Sequence, residues 1–249
     1  AIGANLLRAK ALSLEAWAYI NLGHHERARR SAEQARSLYS AAGDQFGVVD
    51  TLLATGSAAT SQGDYEQAQQ VKQETLELLI EMHDEVLTAT HLGNMASLLL
   101  SRGELSLATA RAEAGLLLGR QTANTEASVQ ALVMLGRIAF QRGKLSLSER
   151  YFEQARATLG AGGDPRQSAW IDAQMGQLRH AQGRLEDAQQ LQQQALAQRE
   201  KLKLEGFVAE SKMALALLAA DQGRARDAEP LARAALNHYN AEKRADGVA

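Results

Sequence analysis

The chain has 249 residues, a formal net charge of −2 and no cysteine, which excludes disulfides and cysteine-held metal and offers no broad positive field to nucleic acid or anionic lipid. Hydrophobic residues make up 45% of it, aromatics only 4%, and Pro occurs twice; this is helix-forming composition with little to build strands. The longest apolar run, Met213 to Ala220, is too short to cross a bilayer, and Ala1-Ile2-Gly3-Ala4 does not open a signal peptide. A reducing, cytoplasmic location is the expectation.

Taken in order, the chain repeats itself. Gly23, Gly63, Gly103, Gly143, Gly183 and Gly223 stand 40 residues apart, and each is followed five places later by Ala28, Ala68, Ala108, Ser148, Ala188 or Ala228. Six hinge glycines in register, with no insertion, mark a repeat array. The spacing divides residues 1–249 into one array of six repeats, 4–43, 44–83, 84–123, 124–163, 164–203 and 204–243, with 244–249 starting a seventh. Tyr239 and Gly247-Val248-Ala249 match Tyr39 and Gly47-Val48-Val49, so the chain is expected to be a piece of a longer protein.

Each repeat is expected to be two helices joined at the glycine. Asp44, Asp84, Asn124 and Asp164 precede the first helix (A), where their side chains can accept from free N–H groups, and Pro165 suits the first helical position. Ala4 and Leu204 break this rule. Helix A runs about 17 residues, to two places before the glycine. Seven residues before each glycine only small side chains stand: Ala16, Gly56, Ala96, Gly136, Gly176 and Ala216. Gly within a helix costs about 1 kcal/mol relative to Ala, so another helix is expected to cross there closely. The second helix (B) starts just past the glycine. Its positions two, five and twelve places on, the last being Ala35, Thr75, Gly115, Ala155, Ala195 and Ala235, share one packing face. Gly160 to Gly163 form a flexible joint, Gln198 to Glu205 contain no breaker so helix B of repeat five is expected to run on, and Pro230 is expected to bend or delay the last helix.

Small residue, Gly after seven, Ala after five and Ala after seven resemble the tetratricopeptide repeat. The match runs through Gly56, Gly63, Ala68 and Thr75 in repeat two and Gly176, Gly183, Ala188 and Ala195 in repeat five, and covers essentially the whole chain. The 40-residue form, with phrases such as Gly43-Asp44-Gln45-Phe46-Gly47-Val48, is similar to the long repeats of bacterial signalling ATPases and MalT-like regulators. That resemblance implies an all-α, right-handed solenoid of six antiparallel helix pairs, with helices A forming a concave wall. It implies wall positions thirteen, ten, nine, six and two places before each glycine. Among these Trp17, Asn94, Arg137, Gln141, Trp170 and Gln177 are the candidate partner-binding residues, since aromatic and guanidinium groups anchor interfaces well. Trp17 and Trp170 also have a packing role open to them, against a preceding repeat and over the Gly160–Gly163 joint respectively. The family's carboxylate clamp is not expected, because Ser57 and Ser97 stand where Asn would be needed.

No phosphate loop, nucleophile elbow or zinc-protease motif occurs. His24-His25 lacks further ligands, and the Gly160–Asp164 stretch lacks the Lys and Ser/Thr of a phosphate site. No enzyme activity, metal or cofactor is expected. Asp172, Arg179 and Lys212 occupy first-helix positions that are apolar elsewhere; an ion-pair cluster bridging repeats five and six is expected, a polar ligand pocket being the alternative, with His180 beside it as a pH-sensitive element. The function expected is a protein- or peptide-interaction or sensor module of a larger regulatory protein, engaging a peptide, a protein or an adjacent domain of the same polypeptide, without nucleic acid or membrane. The alternatives are a small-molecule effector-sensing domain of a transcriptional regulator and a self-association module.

Overall fold

A computed structural model of the chain describes residues 2–242, and the side chains of 3–241. Every regular element among the described residues is an α-helix: α1 (Ile2–Asn21), α2 (His25–Ala42), α3 (Gln45–Ser61), α4 (Tyr65–Glu81), α5 (Glu85–Ser101), α6 (Leu105–Gln121), α7 (Thr125–Gln141), α8 (Leu145–Leu159), α9 (Pro165–Ala181), α10 (Leu185–Lys201), α11 (Glu205–Asp221) and α12 (Ala225–Glu242). They belong to two compact units, Ala1–Leu118 and Gly119–Ala249, with the division inside α6. The expected seventh repeat, 244–249, lies outside the described residues.

The six hinge glycines all adopt the left-handed conformation, with φ between 71° and 76°. At Gly63 this closes α3, the N–H of Asp64 bonding back to the Ala59 carbonyl at 3.0 Å. The same Asp64 then caps α4 by accepting from the Gln67 N–H at 3.1 Å. Asp44, Asp84 and Asn124 cap α3, α5 and α7 in the same way. Asp164 accepts one residue earlier, from Arg166 at 2.8 Å, after the proline that has no N–H to give.

Repeat five departs from expectation. Helix α10 stops at Lys201 although no breaker is present, because Lys203 takes the left-handed conformation (φ 57°) and Leu204 N–H bonds to the Arg199 carbonyl at 3.0 Å. The strain of a side chain at positive φ, about 1 kcal/mol, is offset by tertiary contacts. Arg199, 3% exposed, donates to the Phe207 carbonyl at 2.8 Å and to Ser211 Oγ at 2.7 Å, tying α10 to α11. His83 and Ala123 take the same conformation at the matching turns. Pro230 does not delay α12, which starts at Ala225, two residues past Gly223 as in the other repeats.

The expected packing face of the B helices is buried: Ala35, Thr75, Ala155, Ala195 and Ala235 are fully covered. The small position on helix A has a different cause from the one expected. At Gly136 and Gly176 what meets it is a side chain from helix B, nine residues past the glycine. Opposite Gly136 stands the Phe152 ring, whose Cδ1 would lie 2.6 Å from an added Cβ; opposite Gly176 stands Gln192, with Nε2 at 2.8 Å. Lys72 Cγ would lie 3.6 Å from a Cβ on Gly56. Where helix A carries Ala16, Ala96 or Ala216, the opposite residue is Ala32, Ala112 or Ala232. Large against Gly and Ala against Ala keep the filled volume roughly constant, as close-packed interiors require. Within the first unit α1 packs beside α3; within the second, α7 packs beside α9 and α9 beside α11.

Candidate functional site

The A helices of each unit frame a cleft. In the first unit it has a volume of about 300 Å³ and is lined by Trp17 from α1, Leu53, Ser57, Thr60 and Ser61 from α3, Lys72 from α4, and Asn94, Ser97, Leu98 and Ser101 from α5. The indole of Trp17 is fixed from two sides. Its Nε1–H donates to Asp50 Oδ1 at 3.1 Å, and its ring packs on a cluster of Ala16, Ala32 and Ala54. Ser13 Oγ–H donates to the other oxygen of Asp50, so that carboxylate is occupied by two donors.

Lys72 comes from helix B, and no candidate list drawn from helix A positions contains it. Its register position holds Ala in three repeats, and that departure was the signal available in the sequence. Burial pulls the Lys72 ammonium below the ordinary lysine pKa, and no carboxylate opposes the shift. Among the described residues Lys72 has no ion-pair partner. Behind it lies His91, 2% exposed, whose Nε2–H donates to the Lys72 carbonyl at 2.7 Å. A carbonyl can only accept, so the Nε2 tautomer is present and Nδ1 is a buried bare acceptor. Burial, with the nearby Lys72 charge adding to it, pushes the His91 pKa down to about 4, and the ring is neutral at pH 7.

The second unit holds a cleft of about 570 Å³, lined by Phe140 from α7, Gln177, His180 and Ala181 from α9, Glu210, Met213, Ala214 and Leu217 from α11, and Tyr239 from α12. At its edge His180 Nε2 lies 2.6 Å from Asp221 Oδ2.

The candidate residues therefore fall into separate places. Trp17 and Asn94 line the first cleft, together with Ser57, Ser61, Ser97 and Ser101 from the same wall positions. Gln177 lines the second. Arg137 is half-buried on α7 with its Nη1 3.9 Å from Met134 Sδ; burial lowers its pKa and the Glu210 charge opposes this. Gln141 is exposed on the last turn of α7, and Trp170 is half-buried on α9. None of these three lines either cleft described above.

The expected cluster of Asp172, Arg179 and Lys212 does not form. Each reaches back to the preceding helix B instead: Asp172 to Arg156 at 2.5 Å, Arg179 to Glu149 at 2.6 Å, and Lys212 to Glu200 at 3.8 Å. These positions lie on the side of helix A that faces helix B, so partners come from there. The Arg179 hydrogen bond holds the Glu149 carboxyl below its usual range, whereas burial raises Asp172 against the pull of Arg156. His180 is bound to Asp221 rather than to any of the three.

No family model and no curated protein matches the sequence. Solved structures do. Aspartyl phosphate phosphatase F from Bacillus subtilis superposes with a TM-score of 0.75 at 13% identity, over 98% of this chain and 62% of its own. The Rap conjugation gene regulator of the plasmid pLS20, in complex with the Phr* peptide, gives 0.74 at 16% identity, over 98% and 66%. A signal transduction ATPase with numerous domains from Pyrococcus horikoshii, described as carrying a tetratricopeptide repeat sensor, gives 0.64 at 15% identity, over 95% and 37%. The chain has a tetratricopeptide-like repeat fold. This all-α solenoid class is the one implied by the hinge-glycine register, and the present chain spans less than two thirds of the length of these three neighbours. Among the described residues no helix is long and apolar enough to cross a membrane.

Proposed function

We propose that this chain is a peptide- or protein-recognition module of a larger regulatory protein, and that its ligand is taken up in the clefts framed by the A helices. The observation that carries the proposal is the first cleft, where polar side chains at wall positions of α1, α3 and α5 converge around an oriented indole. Hydroxyls and an amide spaced along adjacent helices suit the repeating polar groups of an extended peptide, while Trp17 supplies a rigid amphipathic anchor. The tetratricopeptide-like neighbour solved with the Phr* peptide supports the same use of the fold. Binding rather than catalysis is part of the proposal, although another neighbour carries the name of a phosphatase. So is the view that all six repeats of residues 1–249 serve one array, and that the parent protein is cytoplasmic and bacterial.

The test is to pan a displayed peptide library on the full chain and measure the selected peptides by fluorescence anisotropy. Trp17→Phe and Ser97→Ala are expected to weaken capture about tenfold or more while leaving helicity and melting temperature close to the parent. Failure to enrich any peptide, or capture indifferent to every cleft substitution, would refute the proposal. A second reading, sensing of a small effector, is favoured by one observation: about 570 Å³ in the second unit is the volume of a small-molecule site. A thermal-shift screen of metabolites in which no compound raises the melting point rejects it.

A further inference from the structure

Lys72 enters the first cleft from an unexpected direction. It belongs to α4, a B helix, yet it lines the cleft with residues of α1, α3 and α5. Its stem packs against Gly56 on α3, Cγ standing at an ordinary contact distance of 3.6 Å from the position of an added Cβ. In the repeats with Ala16, Ala96 and Ala216 on helix A, the register equivalent of Lys72 is Ala. The pairing of glycine with a long cation thus does more than conserve packed volume. It places a lysine of helix B in the wall of the cleft.

From this geometry we infer that Lys72 is the anion-reading element of the first cleft, binding a carboxylate on an acidic side chain of a peptide ligand, with the hydroxyls of Ser57 and Ser97 beside it. The inference rests on the peptide-binding reading and deepens it. A half-buried ammonium retains part of its desolvation cost until an opposite charge arrives, and among the described residues no carboxylate pairs with Lys72. Asp50, the acid hydrogen-bonded to the cleft residue Trp17, is held by Ser13 as well. Burial, the sole cause of the lowered Lys72 pKa, is consistent with an unsatisfied cation. The cleft volume of about 300 Å³ admits one acidic side chain with its flanking backbone, not a folded domain.

The chain contains two tryptophans, Trp17 and Trp170, one in each unit, and they provide a built-in test. The indole N–H signals of the full ¹⁵N-labelled chain are followed while N-acetyl-Ala-Glu-Ala-amide, its Gln analogue or inorganic phosphate is added. The Trp17 signal is expected to shift saturably with the Glu peptide, at an affinity about fivefold or more above that of the Gln peptide, while Trp170 stays still. Lys72→Ala and Lys72→Met are expected to abolish the preference; alanine is the residue at this register in three other repeats, so that variant is expected to fold, and its melting curve checks this. Equal response to the Glu and Gln peptides, or a preference that survives in Lys72→Ala, would overturn the inference. Saturation by phosphate without response to the Glu peptide would overturn the peptide source and assign the site to free anions. Should the chain capture library peptides yet show no Glu-over-Gln preference, the peptide-binding reading stands and this one fails.

Discussion

The hairpins α3–α4 and α7–α8, one in each compact unit, place glycine at the same register of helix A, and the two glycines do different work. Gly136 makes room for the ring of Phe152, which is 1% exposed and closes the interior of its hairpin. Gly56 lies at ordinary contact distance from the stem of Lys72, a residue that lines a cleft. One gap is filled with apolar bulk, and the other position borders a cation that lines a cleft. The difference teaches that a small residue at a helix crossing reports the volume of its opposite number, and that the chemistry of the opposite number decides whether the position serves stability or recognition.

The largest effect should come from emptying the Gly136 gap. Phe152→Ala is expected to destabilise the chain by about 3–5 kcal/mol in urea denaturation, through lost transfer energy and a cavity that cannot collapse fully. Gly136→Ala alone is expected to cost about 1–3 kcal/mol by overpacking, since its Cβ would stand 2.6 Å from Phe152 Cδ1. Joining the two recreates the Ala–Ala pair of Ala16 and Ala32. The double variant should therefore be more stable than Phe152→Ala alone, and strict additivity would break the volume argument.

The first unit offers a pH effect that the second does not match. The folded pKa of His91, about 4, lies below the unfolded value near 6.5. Between those values the unfolded chain binds more protons, so stability is whole above pH 6.5 and falls as pH drops toward 4, by about 3 kcal/mol in total. Urea midpoints measured at pH 7, 5.5 and 4 should show this slope, and His91→Leu should flatten it. Two smaller effects remain. Ser148 Oγ is buried without a hydrogen-bond partner, at a register where the other five repeats carry Ala. Ser148→Ala should raise stability by about 1 kcal/mol, and a loss would show that an ordered water satisfies the hydroxyl. Gly56→Ala should stay within about 1 kcal/mol of the parent, on the stabilising side, because its Cβ would meet Val71 Cγ1 at an ordinary 3.5 Å. Thermal melts of Gly56→Ala and Gly136→Ala side by side test the comparison directly.

Part of the cleft was legible in the primary structure because wall positions follow from helical period alone. Once Gly63 and Gly103 are aligned, Ser57 and Ser97 share a face with Trp17 and Asn94. Lys72 was not legible by that route, since helix B positions read as packing surface and a lysine there looks like a solvated exception. The ion pairs of Asp172, Arg179 and Lys212 show the same limit. Spacing located three charges at positions apolar elsewhere, but each found its partner on a helix B, and nothing in the period says which long side chain reaches across.

The primary structure dictates the number, length and breaks of most helices, because the hinge glycines, capping acids and packing alanines act within a few residues of where they stand. It also dictates the tetratricopeptide-like class, since identical local signals 40 residues apart produce identical hairpins. Packing between helices set the end of α10 at a left-handed Lys203, the match of Gly136 and Gly176 to large side chains on helix B, and the place of Lys72 in the lining of a cleft. Each of these is a balance between a local cost and contacts made by residues distant in the chain, and such contacts exist only once neighbouring helices have packed.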